Sequence, residues 1–132
     1  MKIAVVSDDG MTISQHFGRA AHYVVATIEG EKITALETRE KANHAQLSHA
    51  PHATEGDPRG HGFDPAAQSR HARMLDPISD CQVLIARGMG AGAYNSIRAA
   101  NIRPIITDVP MITDAVRDYL AGTLVDHTER LH

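Results

Sequence analysis

The chain has 132 residues, with 13 Lys and Arg against 16 Asp and Glu and a formal charge of -3 when histidine is neutral. That length predicts a single domain over residues 1–132 and excludes a multidomain enzyme, and a pI of about 6.3 offers no field for nucleic acid. With no Trp, three Tyr and two Phe, the core must be built from Ile, Val, Leu, Ala and Met, and platforms for stacking bases are not supplied.

The chain carries nine His, so its charge turns positive as pH falls through roughly 6.5. Cys81 stands alone, which rules out an intrachain disulfide or a thiolate cage and reads as a cytoplasmic protein. The apolar run from Ile3 to Val6 leads straight into Ser7-Asp8-Asp9-Gly10, too soon for a signal peptide, and no stretch is long enough to span a membrane.

Lys2 to Ser7 is a β-branched run of strand length, and its unbroken apolarity places it centrally in a sheet, covered on both faces. His22 to Glu29 and Lys32 to Arg39 flank Glu29-Gly30-Glu31 with the spacing of a β-hairpin. The second of these alternates and carries Lys32, Glu37 and Arg39, charges that suit an exposed edge. Glu40 to Gly62 is polar and rich in Pro, Gly and His, and reads as a mobile loop that contributes little to stability.

Asp64-Pro65 starts a helix that reaches about Leu75 and turns Ala67, His71 and Met74 inward. Gln82 to Ala86 and Pro104 to Thr107 are two further buried strands, separated by a helix over Ala91 to Ala100. Met111 to Ala121 is the clearest helix, because Ile112, Ala115, Val116, Tyr119 and Leu120 share one face and Gly122 stops it. Helices between strands imply parallel pairing, so the pattern predicts a three-layer α/β/α domain on a mixed five-stranded sheet with one antiparallel strand, supplied by the hairpin.

Four constellations carry chemistry. In Ser14-Gln15-His16-Phe17-Gly18-Arg19, an imidazole suits Fe, Cu or Zn, Gly18 admits a ligand to the backbone, and Arg19 offers charge to an anion. The bland alternative is a hydrogen-bonded loop histidine, with Phe17 packing into the core. The run Arg87-Gly88-Met89-Gly90-Ala91-Gly92-Ala93 joins a strand to a helix and presents amides to an anion. It lacks the Lys-Ser/Thr of a P-loop and an acid for a ribose, and its alternative is close helix–sheet packing.

His44, His49, His52 and His61, followed by His71, match no fixed zinc spacing. They read either as auxiliary metal ligands or as incidental residues of a solvated loop. Asp8, Asp9, Asp108 and Asp114 would be needed for a Mg²⁺-dependent nuclease, but no acid ends the strand at Ala86-Arg87, and Asp8-Asp9-Gly10 is itself a turn. Cys81 reads as a small buried hydrophobe.

MKIAVVSDDG, ISQHFGRAAHYVV, the variable His-containing loop, CQVLIARGMGAGAYNSIRAANIRPIIT and a terminal amphipathic helix occur in that order over roughly residues 1 to 125. In this the chain resembles the dinitrogenase iron-molybdenum cofactor biosynthesis family, the small NifX-like and NafY-core-like proteins. The resemblance implies a ribonuclease H-like fold and a carrier of iron-sulfur or molybdenum-containing clusters or cofactor precursors, not an enzyme. It matches the family's HFG histidine to His16 and its glycine-rich turn to Gly88 to Gly92, although RGMGAG departs from the Gly-Gly-Ile-Gly-like form of many members.

The expected cofactor-binding set is therefore His16, Phe17, Gly18, Arg19, Arg87, Gly88, Met89 and Gly90, with metal ligation by His16 and auxiliary ligation by His44, His49, His52 and His61. Cluster donor and recipient proteins are the expected partners, with neither nucleic acid nor membrane, for a monomer or weak homo-oligomer. The competing readings are a metal-responsive module using the His loop, a metal-dependent nuclease and a nucleotide-dependent enzyme.

Overall fold

The computed structural model describes residues 1–41 and 72–131. The expected loop from residue 42 onward, the helix start at Asp64-Pro65, and His44, His49, His52, His61 and His71 lie outside the described residues.

Five strands form one sheet in the order β3-β2-β1-β4-β5: β1 (Lys2–Ser7), β2 (His22–Glu29), β3 (Lys32–Glu40), β4 (Val83–Ala86) and β5 (Arg103–Ile106). Strand β1 pairs antiparallel with β2 and parallel with β4, and β4 pairs parallel with β5, so β2 alone runs against the rest. The mixed sheet with one antiparallel strand is as the pattern predicts, and so is the central place of β1. Its residues Ile3 to Val6 are wholly buried, as only a strand covered on both faces can be.

The hairpin turns at Gly30-Glu31, with Glu29 opposite Lys32 and Gly30 at positive φ, and β3 forms an edge. Strand β3 does not alternate as its sequence suggests. Apart from half-buried Ile33, which packs against the core, and Arg39, it is exposed, with Leu36 in solvent. Glu40, expected in the loop, is the last residue of β3 and pairs with His22; Lys41, next to it, is buried.

Helix α1 (Ala91–Ala99) links β4 to β5, and α2 (Ile112–Ala121) follows β5, burying Ile112, Ala115 and Val116 before Gly122 ends it. Residues 72–75 are helical and pass into a 3-10 turn at Asp76–Ile78, where Pro77 cannot continue an α-helix. Met74 is fully buried, and its carbonyl accepts a 2.7 Å hydrogen bond from the Tyr23 hydroxyl, tying this helical end to β2. Gln82, expected in β4, precedes it; its side-chain oxygen accepts the Lys2 amide at 2.7 Å. Thr107 likewise falls after β5, although its amide still donates to Ala86 at 2.9 Å.

This topology gathers several chain segments at one sheet edge. The ends of β1 and β4 lie side by side there, and the antiparallel hairpin brings the start of β2 and the end of β3 to the same edge.

Candidate functional site

The loop after β1 is shaped first by its own polar residues. Gly10 donates its amide to the Ser7 hydroxyl at 2.9 Å, and that hydroxyl donates to the Thr12 carbonyl at 2.6 Å. The Asp9 carboxylate accepts from the amides of Met11 (2.9 Å) and Thr12 (2.8 Å) and from the Thr12 hydroxyl (2.8 Å). Those donors hold its carboxyl well below the usual carboxylate range. Asp8 accepts the amide of Ala21 at 2.9 Å, and Asp108 is paired with His127 and Arg130. These acids therefore serve turns and tethers. Among the described residues no group of three or more His, Cys, Asp or Glu could hold a metal.

Past this turn the loop is stitched to two neighbours. Ile13 donates to Pro110 at 2.8 Å and Ile112 donates to Met11 at 3.1 Å, anchoring the loop to the start of α2. Ser14 donates back to Val6 at 2.9 Å and accepts from Arg87 at 3.2 Å, and Phe17 donates to Gly88 at 3.0 Å. His16 closes a tight turn by accepting the amides of Arg19 and Ala20 at 3.3 and 3.2 Å. Phe17 is driven into the core while Gln15, His16 and Arg19 stand exposed around it.

The second wall is the turn from β4 into α1. A Cβ on Gly88 would stand 2.7 Å from the carbonyl oxygen of Gln15, so glycine is what allows the two loops to touch. Met89 is buried and forms a parallel β-bridge with Leu131. Gly90 is the extended N-cap of α1, without a side-chain cap, and accepts the amide of Tyr94 at 3.0 Å. The first amides of α1 thus lie at the rim without an intrahelical acceptor. Half-buried Arg87 holds its Nε away from solvent with no hydrogen-bond partner among the described residues, which is costly unless a ligand completes it.

The expected set thus falls on two segments that the structure joins by hydrogen bonds. His16, Gly18 and Arg19 lie on one and Arg87, Gly88 and Gly90 on the other. Phe17 and Met89 belong to these segments but turn their side chains into the core, leaving them backbone roles at the rim. Cys81 is buried as expected, and burial pushes its thiol up to about 11, which disfavours the thiolate.

Lys41 escaped the sequence reading. Its side chain is buried, with Nζ donating to the Ala20 carbonyl at 3.2 Å and lying 4.8 Å from the centre of the Phe17 ring. Burial pushes the ammonium down to about 8, against the pull of Asp8. His22 was missed too; its Nδ1 is buried at the start of β2 with no hydrogen-bond partner among the described residues. Both positions follow from the pairing of β2 with β3, and no local motif marks either.

Solved structures with this fold include PH0822, at 20% identity and a TM-score of 0.66 over 98% of each chain. The apo form of the orange protein from Desulfovibrio gigas matches at 19% identity and a TM-score of 0.63, over 96% of this chain and 92% of that one. A candidate dinitrogenase from Methanocaldococcus jannaschii matches at 11% identity and a TM-score of 0.62, over 97% and 95%. No curated protein matches the sequence. The family model described as dinitrogenase iron-molybdenum cofactor matches residues 1–122, and the chain therefore belongs to that family.

Proposed function

We propose that this protein is a carrier that binds an iron-sulfur or molybdenum-containing cluster or cofactor precursor and passes it from a donor to a recipient protein. The observation that carries this reading is the interlock of the His16 loop with the Arg87 to Gly90 turn at the carboxyl edge of parallel strands β1 and β4. Open α/β sheets bind ligands at such an edge. A negatively charged cluster there meets the His16 imidazole, Arg19, Arg87, whose Nε has no partner among the described residues, and the first amides of α1. These groups compensate charge without thiolates, which suits a cargo held reversibly.

His16 is the principal ligand in this reading, and His44, His49, His52 and His61 are auxiliary ligands. The domain is of the three-layer, ribonuclease H-like kind and not an enzyme, and it works in the cytoplasm as a monomer or weak oligomer. The family match and the likeness to the orange protein support cofactor handling. Among the described residues no helix is long and apolar enough to cross a membrane.

The test is anaerobic incubation with a molybdenum-sulfur or iron-sulfur cluster, then gel filtration and metal analysis of the protein peak. His16→Ala should lose most of the retained metal, while the quadruple Ala variant of the four loop histidines keeps most of it. The reverse result would move the site to the loop. A wild-type protein that retains no cluster would remove the carrier reading altogether.

A further inference from the structure

The two edges of the sheet are finished differently. On β5 the backbone groups that point away from β4 belong to Pro104 and Ile106, since the amides of Arg103 and Thr107 turn inward to Gln82 and Ala86. Pro104 has no N–H, the Ile106 amide donates to the Asp126 carboxylate at 3.0 Å, and the Ile106 carbonyl accepts the His127 amide at 2.7 Å. That edge is closed to another strand.

The β3 edge is open. The Ile28 amide donates to Met1, on the β1 side of β2, so alternation turns Tyr23, Val25 and Thr27 toward β3 and their partners Arg39, Glu37 and Ala35 toward β2. The amides and carbonyls of Leu36, Thr38 and Glu40 therefore point off the sheet, without partners among the described residues. The side chain of Leu36 stands in solvent among them. The strand's two basic and two acidic side chains cancel, and Arg39 is already bound by Glu37 and Asp80.

We infer that β3 is the docking surface for a second copy of this chain, two β3 strands pairing antiparallel about a two-fold axis at Leu36. The closed β5 edge decides the symmetry: a second copy can offer a strand only through its own β3, so the contact is isologous, and an axis across the strands makes them antiparallel. In this register Leu36 covers the partner's Leu36, Thr34 meets the partner's Thr38, and Ala35 meets the partner's Glu37, so no like charges are opposed. An axis at Glu37 or Arg39 would set like charges face to face, and one at Thr38 would place Leu36 against a glutamate. The register shift beside Ile33 confines the regular ladder to Thr34 through Thr38, so the contact is small and the association weak and reversible. Antiparallel pairing carries the two His16 loops to opposite ends of the joined sheet, where neither covers the other.

Sedimentation of the full chain from micromolar to millimolar concentration tests the surface, and cysteine cross-linking tests the register. Wild type should dimerise reversibly. Leu36→Lys, which sets two charges on the axis, should weaken the dimer at least about tenfold, whereas Val125→Lys, the same change at an exposed apolar residue off the strand, should not. In a Cys81→Ala background, Leu36→Cys should form a disulfide between copies on mild oxidation. Thr38→Cys should not, because an axis at Leu36 holds the two Thr38 positions about 13 Å apart, beyond the roughly 7 Å that a disulfide spans.

Wild type that stays monomeric throughout would overturn the inference, and protection of the Leu36 and Thr38 amides from exchange in that monomer would assign the edge to residues 42–71 of the same chain. A dimer that Leu36→Lys leaves intact, or that Val125→Lys weakens equally, would overturn it as well. Cross-linking through Thr38→Cys as readily as through Leu36→Cys would overturn the register.

Discussion

The α-carbon of Gly88 faces the carbonyl oxygen of Gln15 so closely that the missing methyl group would lie 2.7 Å from it. The obstacle is backbone, which cannot rotate aside as a side chain would. Gly88→Ala should therefore part the two loops, break the 3.0 Å bond from Phe17 to Gly88, and cost about 1–3 kcal/mol. Urea unfolding measures the cost, and metal retention after cluster incubation should fall in the same variant. An unchanged midpoint would show that the loops separate freely.

Tyr23→Phe tests the tie between β2 and the helical end at Met74. The hydroxyl bond is 2.7 Å and buried, and its loss strands the Met74 carbonyl, so stability should drop by about 1–2 kcal/mol. Burial holds the phenol far above its ordinary range. Its contribution is complete below the unfolded-state value near 10 and is lost as pH rises beyond it. Native protein should show one tyrosine that ionises only on unfolding, by absorbance at alkaline pH.

Lys41 gives the opposite slope in a lower window. Its folded pKa is pushed down to about 8 from 10.5, so between these values the unfolded chain binds the proton and the folded chain does not. Stability then rises with pH through that window, by on the order of 2 kcal/mol, and the gain is lost as pH falls through about 8. Lys41→Met should flatten this rise while leaving the later fall from Tyr23. Denaturant midpoints at several pH values between 7 and about 10 read the difference.

Much of this fold is legible in the sequence, because each strand is a short apolar run and each loop opens with a strong turn signal. The unbroken apolarity of Ile3 to Val6 identifies the central strand, and the charges of Lys32, Glu37 and Arg39 identify the edge. The meeting of the His16 loop with the glycine turn is also legible, since parallel strands deliver their following loops to one edge. Lys41 is not, because Glu40-Lys41 looks solvated until β2 and β3 pair and carry it under Phe17. Nor is the role of Leu131, which follows no periodic pattern and reaches Met89 only because Asp126 and His127 bind the end of β5.

The acidic turn offers an independent check on the loop. Asp9→Asn removes the charge that three donors from Met11 and Thr12 hold. Because the folded carboxyl lies well below its ordinary value, its contribution is present above about pH 4 and is lost as pH falls further. The variant should exchange the Met11 and Thr12 amides faster at neutral pH, by NMR hydrogen exchange, and show a shallower loss of stability on acidification. Wild-type exchange rates in the variant would mean that the turn is held from elsewhere.

The bond from Phe17 to Gly88 joins opposite halves of the chain, and the bridge from Met89 to Leu131 adds the far end. A site assembled from contacts so distant in sequence has a high contact order, and its loop-closure entropy is met only when the sheet is complete. A nascent chain that has extended only through β3 displays His16 without the opposing wall. On the proposed carrier reading, capture of cargo would wait until both walls have folded against each other, and whatever binds the assembled rim would draw the whole fold toward the native state.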